Sequence, residues 1–462
     1  MSRPPVLLVS CYDLGRQPLA LAWARACLER AGHPCRSLDL ALEPLRPDAL
    51  DGVRIVAISV PMHTALRLGH AAAERIRALR PDIHLACFGP YAWLNAEHLL
   101  ATVADSVLAG ESEAALVDLV SALERGAGPP ARAGLRTLGR GAPLPALERL
   151  ELPVPVRTGL PPLERYAGFE SGGARVVAGH VEASRGCLHH CRHCPLVPVY
   201  AGRFFAVPVE VVLADARQQV EAGARHLSFG DPDFLNGPTH ALRVARALHR
   251  ELPEVGFDFT AKVEHLLRHR NLLPELVQCG ARFAVTAVES LSDAVLRRLR
   301  KGHSAGDLDR LVEVTDAAGL TLHPTFVAFT PWTRLDDYLA QLDWVARHDL
   351  ADRVPAVQHS IRLLVPPGSA LLDDPESAPA FGPLDPAAFA HPWRHPDPRV
   401  DALQREIEAR VGAGAESGEA ALESFEAVRA LAWRAAGREG APPAIRTRRR
   451  GAAPRLTEHW FC

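Results

Sequence analysis

Residues 182–195 read Glu182-Ala-Ser-Arg-Gly-Cys187-Leu-His-His-Cys191-Arg-His-Cys194-Pro195. This stretch holds three of the nine cysteines within eight residues, at the spacing C-x3-C-x2-C. Thiolates this close repel one another unless a metal or a metal cluster takes up their charge. Zinc sites usually need four ligands, whereas three cysteines on one loop suit a 4Fe–4S cluster with one iron left open to a small molecule. A zinc site and a group of buried or redox-active cysteines remain the alternatives.

The composition indicates a multidomain protein without a marked charge bias. The 462 residues are 48% hydrophobic and carry a net charge of −2. This allows about two to four domains and gives no basic field for nucleic acid. The chain has no apolar run of the roughly eighteen residues that a membrane-spanning helix needs, and its N-terminus lacks the apolar core of a signal peptide. The other six cysteines are scattered rather than spaced as a disulfide framework. We therefore expect a soluble, cytoplasmic protein.

Residues 1–125 alternate between predicted strands and helices. The strands are expected at Val6–Val9, Ile55–Ser59, His84–Phe88 and Ser106–Leu108, and the helices at Leu19–Ala31, Leu66–Leu79 and Glu113–Glu124. This βα repeat predicts a flavodoxin-like, open parallel sheet with its ligand crevice at the carboxyl ends of the strands. The residues at that rim are Ser10, Tyr12, Ser59, His63, Gly89, Tyr91, Gly110 and Glu111. Residues 126–173 are rich in Pro, Gly and Ala and are expected to be a linker.

A second βα alternation covers residues 174–370. Its six predicted strands are Val176–Ser184, His226–Gly230, Phe257–Thr260, Phe283–Val288, Thr321–Ala328 and Gln358–Leu364. Six units are too few for a closed eight-fold barrel, so they predict an open six-unit (β/α) barrel with its active site at the carboxyl ends of the strands. The cysteine triplet follows the first strand, at that edge. Residues 371–462 are expected to form a small, mostly helical cap and a tail, with helices at Val400–Val411 and Ser424–Ala436 and an arginine-rich arm at Arg446–Arg450.

Polar residues that follow the other strands are further site candidates. They are Asp231 and Asp233 after the second strand, Lys262 and Glu264 after the third, and Glu289 and Ser290 after the fourth. Lys262 and Lys301 are the only lysines among 52 basic residues. Because arginine stands at all the other basic positions, each lysine is a candidate for a position where a compact ammonium is needed and a guanidinium does not fit. The alternative is that the two lysines have been retained by chance. Segments around Pro324, Trp332 and Arg362 are candidates for a substrate pocket.

The triplet, the Arg-Gly pair before it and its place after a strand resemble the signature of the radical S-adenosylmethionine (radical SAM) enzymes. The residue before the third cysteine is usually aromatic in that family, and here it is His193. The resemblance implies that Cys187, Cys191 and Cys194 hold a 4Fe–4S cluster whose open iron binds S-adenosylmethionine. Reductive cleavage of this molecule then gives a 5′-deoxyadenosyl radical that abstracts hydrogen from a substrate. A flavodoxin or a ferredoxin is the implied electron donor.

The resemblance also implies which residues contact S-adenosylmethionine. These are Asp231 and Asp233 for its ammonium group, Glu289 and Ser290 for its ribose, Lys301 for its carboxylate, and Lys262 and His193 at the mouth of the barrel. An ordinary Asp-Pro turn is the alternative for the two aspartates, and a surface position is the alternative for Glu289. The substrate, a small molecule or a peptide, and the catalytic residues that act on it are not implied.

The domain before the barrel resembles the cobalamin-binding domain of many radical SAM relatives. The usual Asp-x-His-x-x-Gly motif, whose histidine ligates cobalt, is missing, because the chain reads Asp13-Leu-Gly-Arg-Gln-Pro18 after the first strand. Either cobalamin binds without a protein histidine, or this domain has lost cobalamin. With cobalamin, methyl transfer to an unactivated carbon is the expected outcome. The alternatives are a cobalamin-independent rearrangement, sulfur or selenium chemistry, and a non-catalytic metal-binding module.

Several strings along the chain, among them Asp231-Pro-Asp-Phe234 and Leu456-Thr-Glu-His-Trp-Phe-Cys462, are similar to radical SAM proteins with a Cys-Sec-Ala-Glu-Pro or Cys-Cys-Ala-Glu-Pro tail. This resemblance implies that a selenocysteine, encoded by UGA, follows Cys462 and that the sequence is truncated there. A selenol beside a thiol would form a redox pair. A natural end with an idle cysteine is the alternative.

Overall fold

The computed structural model describes residues 6–141, 144–445 and 453–458 of the chain. The predicted arginine-rich arm, Arg446–Arg450, and the predicted redox residue, Cys462, lie outside the described residues. Two seven-stranded sheets carry the fold. Within the described ranges, every helix is too short or too polar to span a membrane.

The first sheet combines five parallel strands with an antiparallel hairpin. The parallel strands are β1 (Val6–Ser10), β2 (Cys35–Asp39), β3 (Ile55–Ser59), β4 (His84–Phe88) and β5 (Ser106–Leu108), and the hairpin is β6 (Leu135–Thr137) and β7 (Arg140–Gly141). Their order, β2-β1-β3-β4-β5-β6-β7, confirms the flavodoxin-like prediction, with the switch point between β1 and β3. The sequence does not predict β2, because only two of its five residues are apolar. The hairpin occupies part of the predicted linker.

Five helices connect these strands. They are α1 (Leu19–Arg30), α2 (His63–Leu79), α3 (Pro90–Leu94), α4 (Ala96–Thr102) and α5 (Glu113–Glu124). Alternate residues of β1 enter two different apolar clusters, with Leu7 and Val9 on one face of the sheet and Val6 and Leu8 on the other. The sheet is therefore covered on both faces, as a parallel sheet requires. Trp23 of α1 points away from this sheet into the core of the second one.

The second sheet is a half-barrel. Its strands and those of a neighbouring antiparallel pair are β8 (Gly168–Ser171), β9 (Ala174–Val181), β10 (Ser184–Gly186), β11 (Phe204–Ala206), β12 (His226–Phe229), β13 (Gly256–Thr260), β14 (Ala281–Glu289), β15 (Thr321–Phe326) and β16 (Arg455–Leu456). The order is β15-β14-β13-β12-β9-β8-β16, and the five strands from β15 to β9 are parallel. Strands β10 and β11 form a separate antiparallel pair next to the cysteines. The predicted parallel barrel is confirmed in its first five strands.

The remaining helices cover the outer face of the half-barrel and form the C-terminal part. They are α6 (Val197–Tyr200), α7 (Val209–Glu221), α8 (Pro238–Glu251), α9 (Val263–Arg268), α10 (Leu273–Gln278), α11 (Asp293–Leu299), α12 (Asp307–Ala318), α13 (Leu335–Arg347), α14 (Pro398–Ser417) and α15 (Ala421–Ala435). The two helices predicted for the C-terminal region correspond to α14, which extends beyond the prediction at both ends, and α15, which begins and ends earlier than predicted.

The sixth predicted strand, Gln358–Leu364, is wrong as a strand. Residues Ala356–His359 form a 3-10 helix, and a single parallel bridge joins Phe329 to Arg362. Prolines at both ends of the segment, Pro355 and Pro366, cannot donate a backbone hydrogen bond, so they oppose a longer ladder. The sixth unit of the barrel is therefore reduced to one bridge.

Arg157, in the predicted linker, ties the first sheet's helical layer to the half-barrel. Its guanidinium binds the Asp215 carboxylate of α7 through two contacts of 3.0 and 2.7 Å and donates to Gln17 Oε1 at 3.1 Å. The side chains of Arg157 and Asp215 are only 8% and 3% exposed. The linker is thus held at a buried ion pair rather than free to move.

We expect Arg157→Ala to lower the stability of the protein strongly. The change leaves the Asp215 carboxylate buried without its cation, which typically costs about 3–5 kcal/mol. Thermal and urea unfolding should show the loss. Arg140→Ala, an exposed arginine of the hairpin, is the matched control and should unfold like the unchanged protein. Equal unfolding of the two variants would contradict the interpretation.

Candidate functional site

The cysteine loop, residues 187–194, follows β9 and β10 at the carboxyl end of the half-barrel. Cys191 is buried, Cys187 and Cys194 are half-buried, and all three are free thiols. Burial raises the pKa of Cys194 to about 12, and the thiols of Cys191 and Cys187 act in the same direction. The three sulfur atoms are therefore close enough to interact electrostatically, and a positive charge, the Lys301 ammonium, partly opposes the rise in the pKa of Cys194.

Two residues that follow β12 hold the cysteine loop and the segment before it in place. Asn236 accepts the backbone N–H of Leu188 at 3.2 Å. Asp231 accepts the backbone N–H of Ala183 at 2.9 Å and the Ser184 hydroxyl at 2.5 Å. Burial raises the pKa of Asp231 to about 7. The structure thus places Asp231 beneath the loop, with its carboxylate already hydrogen-bonded.

Arg185, two residues before the first cysteine of the loop, connects it to the rim of the first sheet. Its guanidinium pairs with Glu113 at 2.7 Å, Glu182 at 3.2 Å and Glu111 at 3.3 Å. Tyr200 also donates to Glu111, at 3.3 Å. Glu111 belongs to the rim predicted to line a ligand crevice, so this part of the rim contacts the chain just before and just after the cysteine loop.

Glu289, Lys301 and His193 form a buried charged cluster beside the cysteines. Lys301 Nζ lies 3.1 Å and His193 Nε2 lies 3.2 Å from the same oxygen, Glu289 Oε1. Glu289 and Lys301 are 6% and 3% exposed. Burial alone would raise the pKa of Glu289, but the Lys301 ammonium and the His193 imidazole outweigh it and lower this pKa. Burial likewise opposes the charge of Lys301, yet the Glu289 carboxylate raises the pKa of that ammonium.

The backbone on both sides of this ion pair has unfavourable dihedral angles. Glu289 has a φ of 66° and Arg300 a φ of 55°, in the left-handed region that residues with a Cβ rarely adopt. The ladder between β14 and β15 shifts its register between Ala287 and Glu289. Such strain costs about 1–3 kcal/mol per residue and is concentrated at functional positions. Ser290, which is also buried, accepts the backbone N–H of Ser292 at 3.1 Å.

Lys262 and Glu264 meet just after the third strand of the half-barrel. Strand β13 ends at Thr260, and Glu264 lies in the first turn of α9. Lys262 Nζ is 3.6 Å from Glu264 Oε2. The helix start brings the two side chains together after the strand has ended.

Asp233 lies between two histidines that the sequence analysis does not single out. His265 Nδ1 is 2.8 Å and His189 Nε2 is 3.5 Å from Asp233 Oδ2. Asp233 is completely buried. The only signal for these histidines in the sequence is their position, because His189 lies inside the triplet and His265 lies three residues after Lys262.

A cavity of about 850 Å³ is lined by residues of β13, β14 and β15 and of the C-terminal helices. Its walls include Leu14 of the loop between β1 and α1, Val285 and Thr325 of the half-barrel, and Gln404 of α14. Pro324 and Arg362, two candidates for a substrate pocket, also line it. Among the described lining residues there is none of the three cysteines and no Glu289, so the cavity is separate from the charged cluster.

Residues 181–336 match the sequence model of the Radical SAM superfamily. The chain contains a radical SAM domain. The matched residues run from the end of β9 to the start of α13, so they include the cysteine loop, Asp231, Glu289 and Lys301.

Two curated relatives extend the likeness of the radical SAM domain. Hopanoid C-3 methylase of Methylococcus capsulatus is 25% identical over 345 residues, which cover 72% of this chain and 64% of that protein. The tRNA-2-methylthio-N(6)-dimethylallyladenosine synthase of Chlorobium luteolum is 30% identical over 202 residues, 39% of this chain and 42% of that protein. The chain therefore spans less than two thirds of the length of each.

The solved structure of the cobalamin-dependent S-adenosylmethionine radical enzyme OxsB, with aqua-cobalamin and S-adenosylmethionine bound, has a similar fold. It aligns with 93% of this chain and 73% of its own chain, at a TM-score of 0.70 and 14% identity. This likeness covers the first sheet as well as the radical SAM domain, and it confirms the predicted fold class.

Proposed function

We propose that the chain is a radical SAM enzyme in which Cys187, Cys191 and Cys194 hold a 4Fe–4S cluster. The observation that carries the proposal is the group of three free thiols on one loop of a radical SAM domain, at the carboxyl end of the barrel. Three cysteine thiolates are a suitable donor set for such a cluster with one iron left open. When bound, the cluster supplies the electron that splits S-adenosylmethionine into methionine and a 5′-deoxyadenosyl radical.

Lys301 supports the anionic thiolates in this proposal. Its ammonium interacts with Cys191 and Cys194 as well as with Glu289. A buried positive charge beside thiolates lowers the cost of their ionisation. The ammonium has three donors, and Glu289 Oε1 accepts from it at 3.1 Å. A further donor is available for the carboxylate of S-adenosylmethionine.

Glu289 is the residue we assign to the ribose of S-adenosylmethionine, with Ser290 beside it. Lys301 and His193 share one carboxylate oxygen, Oε1. The same two side chains keep the carboxylate ionised, so its other oxygen can accept from ribose hydroxyls. We assign Asp231 and Lys262 to the mouth of the barrel, where Asp231 acts by holding the Ala183–Ser184 segment under the cysteine loop.

A cobalamin in the crevice of the first sheet is the second part of the proposal. The fold shared with OxsB supports this part of the proposal. With cobalamin bound, methyl transfer is the reaction we propose. Leu14, at the position of the missing histidine motif, faces the barrel cavity together with Thr64. Cobalamin bound there would have no imidazole ligand from this loop. Cobalamin-independent rearrangement or sulfur chemistry is the second candidate, favoured by the methylthiolating relative and by the missing histidine.

The proposed partners are an electron donor such as a flavodoxin or a ferredoxin and a substrate, a small molecule or a peptide. We place the protein in the cytoplasm, where a reducing environment keeps the cysteine loop available as thiols. The chamber we propose for the substrate is the 850 Å³ cavity, because Pro324 and Arg362, two candidates for a substrate pocket, line it.

The test is anaerobic purification followed by iron, sulfide and cobalt analysis and a visible spectrum. We expect roughly four irons per chain and cleavage of S-adenosylmethionine after reduction. One cobalt per chain after reconstitution with cobalamin would support methyl transfer, and iron without cobalt would favour the second candidate. Stoichiometric zinc without iron would overturn the proposed enzyme.

A further inference from the structure

Three side chains meet where the cysteine loop contacts the ends of β12 and β13. One potential ligand atom from each of His189, Asp233 and His265 lies within 4.8 Å of the other two. The side chains of Asp233 and His265 are 0% and 6% exposed, and that of His189 is 14% exposed. The group is therefore closed to bulk water on most sides.

Both histidines approach the same carboxylate oxygen of Asp233. His189 Nε2 and His265 Nδ1 are buried, and neither has a hydrogen-bond partner among the described residues. A buried polar atom without a partner typically costs about 1–3 kcal/mol. Both atoms nevertheless lie close to Asp233 Oδ2, at 3.5 and 2.8 Å. The structure thus places two imidazole nitrogens beside one carboxylate oxygen in a buried position.

Ligands of a common metal ion show this arrangement. With metal–nitrogen and metal–oxygen bonds of about 2.0–2.2 Å, neighbouring ligand atoms lie about 3.0–3.4 Å apart around the ion and each points at the ion. The two distances to Asp233 Oδ2 bracket this range. An ion would also give both unpartnered imidazole nitrogens a bond.

We propose that His189, Asp233 and His265 bind one divalent transition-metal ion. Two imidazoles and one carboxylate form the donor set of Zn²⁺ and Fe²⁺ sites that keep open positions. The backbone N–H of Leu235 donates to Asp233 Oδ1 at 3.0 Å and that of Lys262 to Oδ2 at 3.3 Å, so the carboxylate is held in place by a second layer of contacts.

The neighbouring charges are compatible with a cation. Glu264 Oε2 lies 4.0 Å from His189 Nδ1, on the far side of that imidazole, and Lys262 Nζ lies 3.6 Å from the same oxygen. The ammonium is therefore paired, and Asp233 provides the negative charge that faces the ion. The ion would tie the cysteine loop to the half-barrel, because His189 lies in the loop and the other two ligands follow β12 and β13.

This site differs from the thiol site in its ligand atoms, although both use the cysteine loop. Its donors are nitrogen and oxygen atoms, whereas the proposed cluster is held by sulfur. It also gives Asp233 a function other than accepting from the ammonium group of S-adenosylmethionine, which the sequence resemblance implies.

Metal analysis of the full chain tests the proposal. Protein carrying its reconstituted cluster is incubated anaerobically with Zn²⁺, desalted and analysed for iron and zinc. We expect one zinc per chain in addition to the cluster iron. His265→Ala and His189→Ala should each weaken zinc binding at least tenfold in chelator competition while leaving the iron content unchanged. His190→Ala, at an exposed position in the same loop, should keep both metals.

Co²⁺ provides a second readout that separates the two sites. In the triple variant Cys187→Ala, Cys191→Ala, Cys194→Ala, bound Co²⁺ should show visible ligand-field bands without sulfur-to-cobalt charge transfer, and Asp233→Asn should remove them. Absence of Co²⁺ binding by the triple variant, or zinc retained by His265→Ala, would overturn the metal site. If His265→Ala does not fold, Asp233→Asn in the zinc assay decides. If the unchanged protein binds zinc but takes up no cluster iron, the result would instead count against the proposed cluster and leave the metal site supported.

Discussion

Cys191→Ala is expected to remove cleavage of S-adenosylmethionine completely. Cys191 is the most buried of the three loop cysteines and lies between the other two in the chain. Only three cysteines hold the proposed cluster, and this variant leaves two. We therefore expect far fewer than the roughly four irons of an intact cluster. Iron and sulfide analysis, the visible spectrum and the release of 5′-deoxyadenosine measure the effect.

The matched control is Cys279→Ala. Cys279 is also buried and free, but it lies at the end of α10 and belongs to the apolar core of the half-barrel. This variant should keep its iron, its spectrum and its activity, at a small cost in stability. Full activity of Cys191→Ala, or equal loss of iron in both variants, would rule out the loop as the cluster site.

Lys301→Met is expected to cause the largest loss of stability among single changes near the site. Methionine fills a similar volume but leaves the Glu289 carboxylate buried with only the His193 contact. Breaking one side of a buried ion pair typically costs about 3–5 kcal/mol. In the unchanged protein the pair also offsets the strain of the left-handed backbone at Glu289, and the variant loses this compensation. Thermal melting should show the loss, and binding of S-adenosylmethionine should weaken as well.

The pH dependence of this loss follows from the lowered pKa of Glu289. A carboxyl group whose pKa is lower in the folded protein stabilises the fold above its unfolded pKa of about 4.3, and this contribution disappears as the pH falls through the lower folded value. The raised pKa of Lys301 keeps the ammonium charged up to alkaline pH. The difference in melting temperature between the unchanged protein and Lys301→Met should therefore be constant near neutral pH and shrink in acid.

Two variants check the interpretation of Lys301. Lys262→Met removes the other lysine, whose contact with the half-exposed Glu264 is longer, and should cost much less stability. Lys301→Arg keeps the charge but places a larger, planar group in a site that is 3% exposed. We expect it to fold with lower stability and weaker binding of S-adenosylmethionine. Unimpaired Lys301→Arg would show that this position needs only a positive charge.

The cysteine triplet and the strand before it could be predicted from the sequence because they are local. Ligands for one cluster on one loop must be close in the chain, and a buried parallel strand is a continuous apolar run. The same reasoning predicts β1, β3, β4 and β5 of the first sheet. It fails for β2, whose residues are mostly polar, and for the sixth barrel strand, where prolines limit the backbone hydrogen bonds to a single bridge.

Contacts between distant residues were decided only by the tertiary structure. His193 meets Glu289 across 96 positions, and Asp233 meets His265 only because two strand ends lie at the same edge of a sheet. Periodicity reports which face of one element is buried, but it carries no information on which side chains from different elements converge. The sequence by itself therefore determined the fold class and the thiol site. The folded chain decided the charged cluster around Glu289 and the group of His189, Asp233 and His265, since both depend on how separate strand ends are brought together.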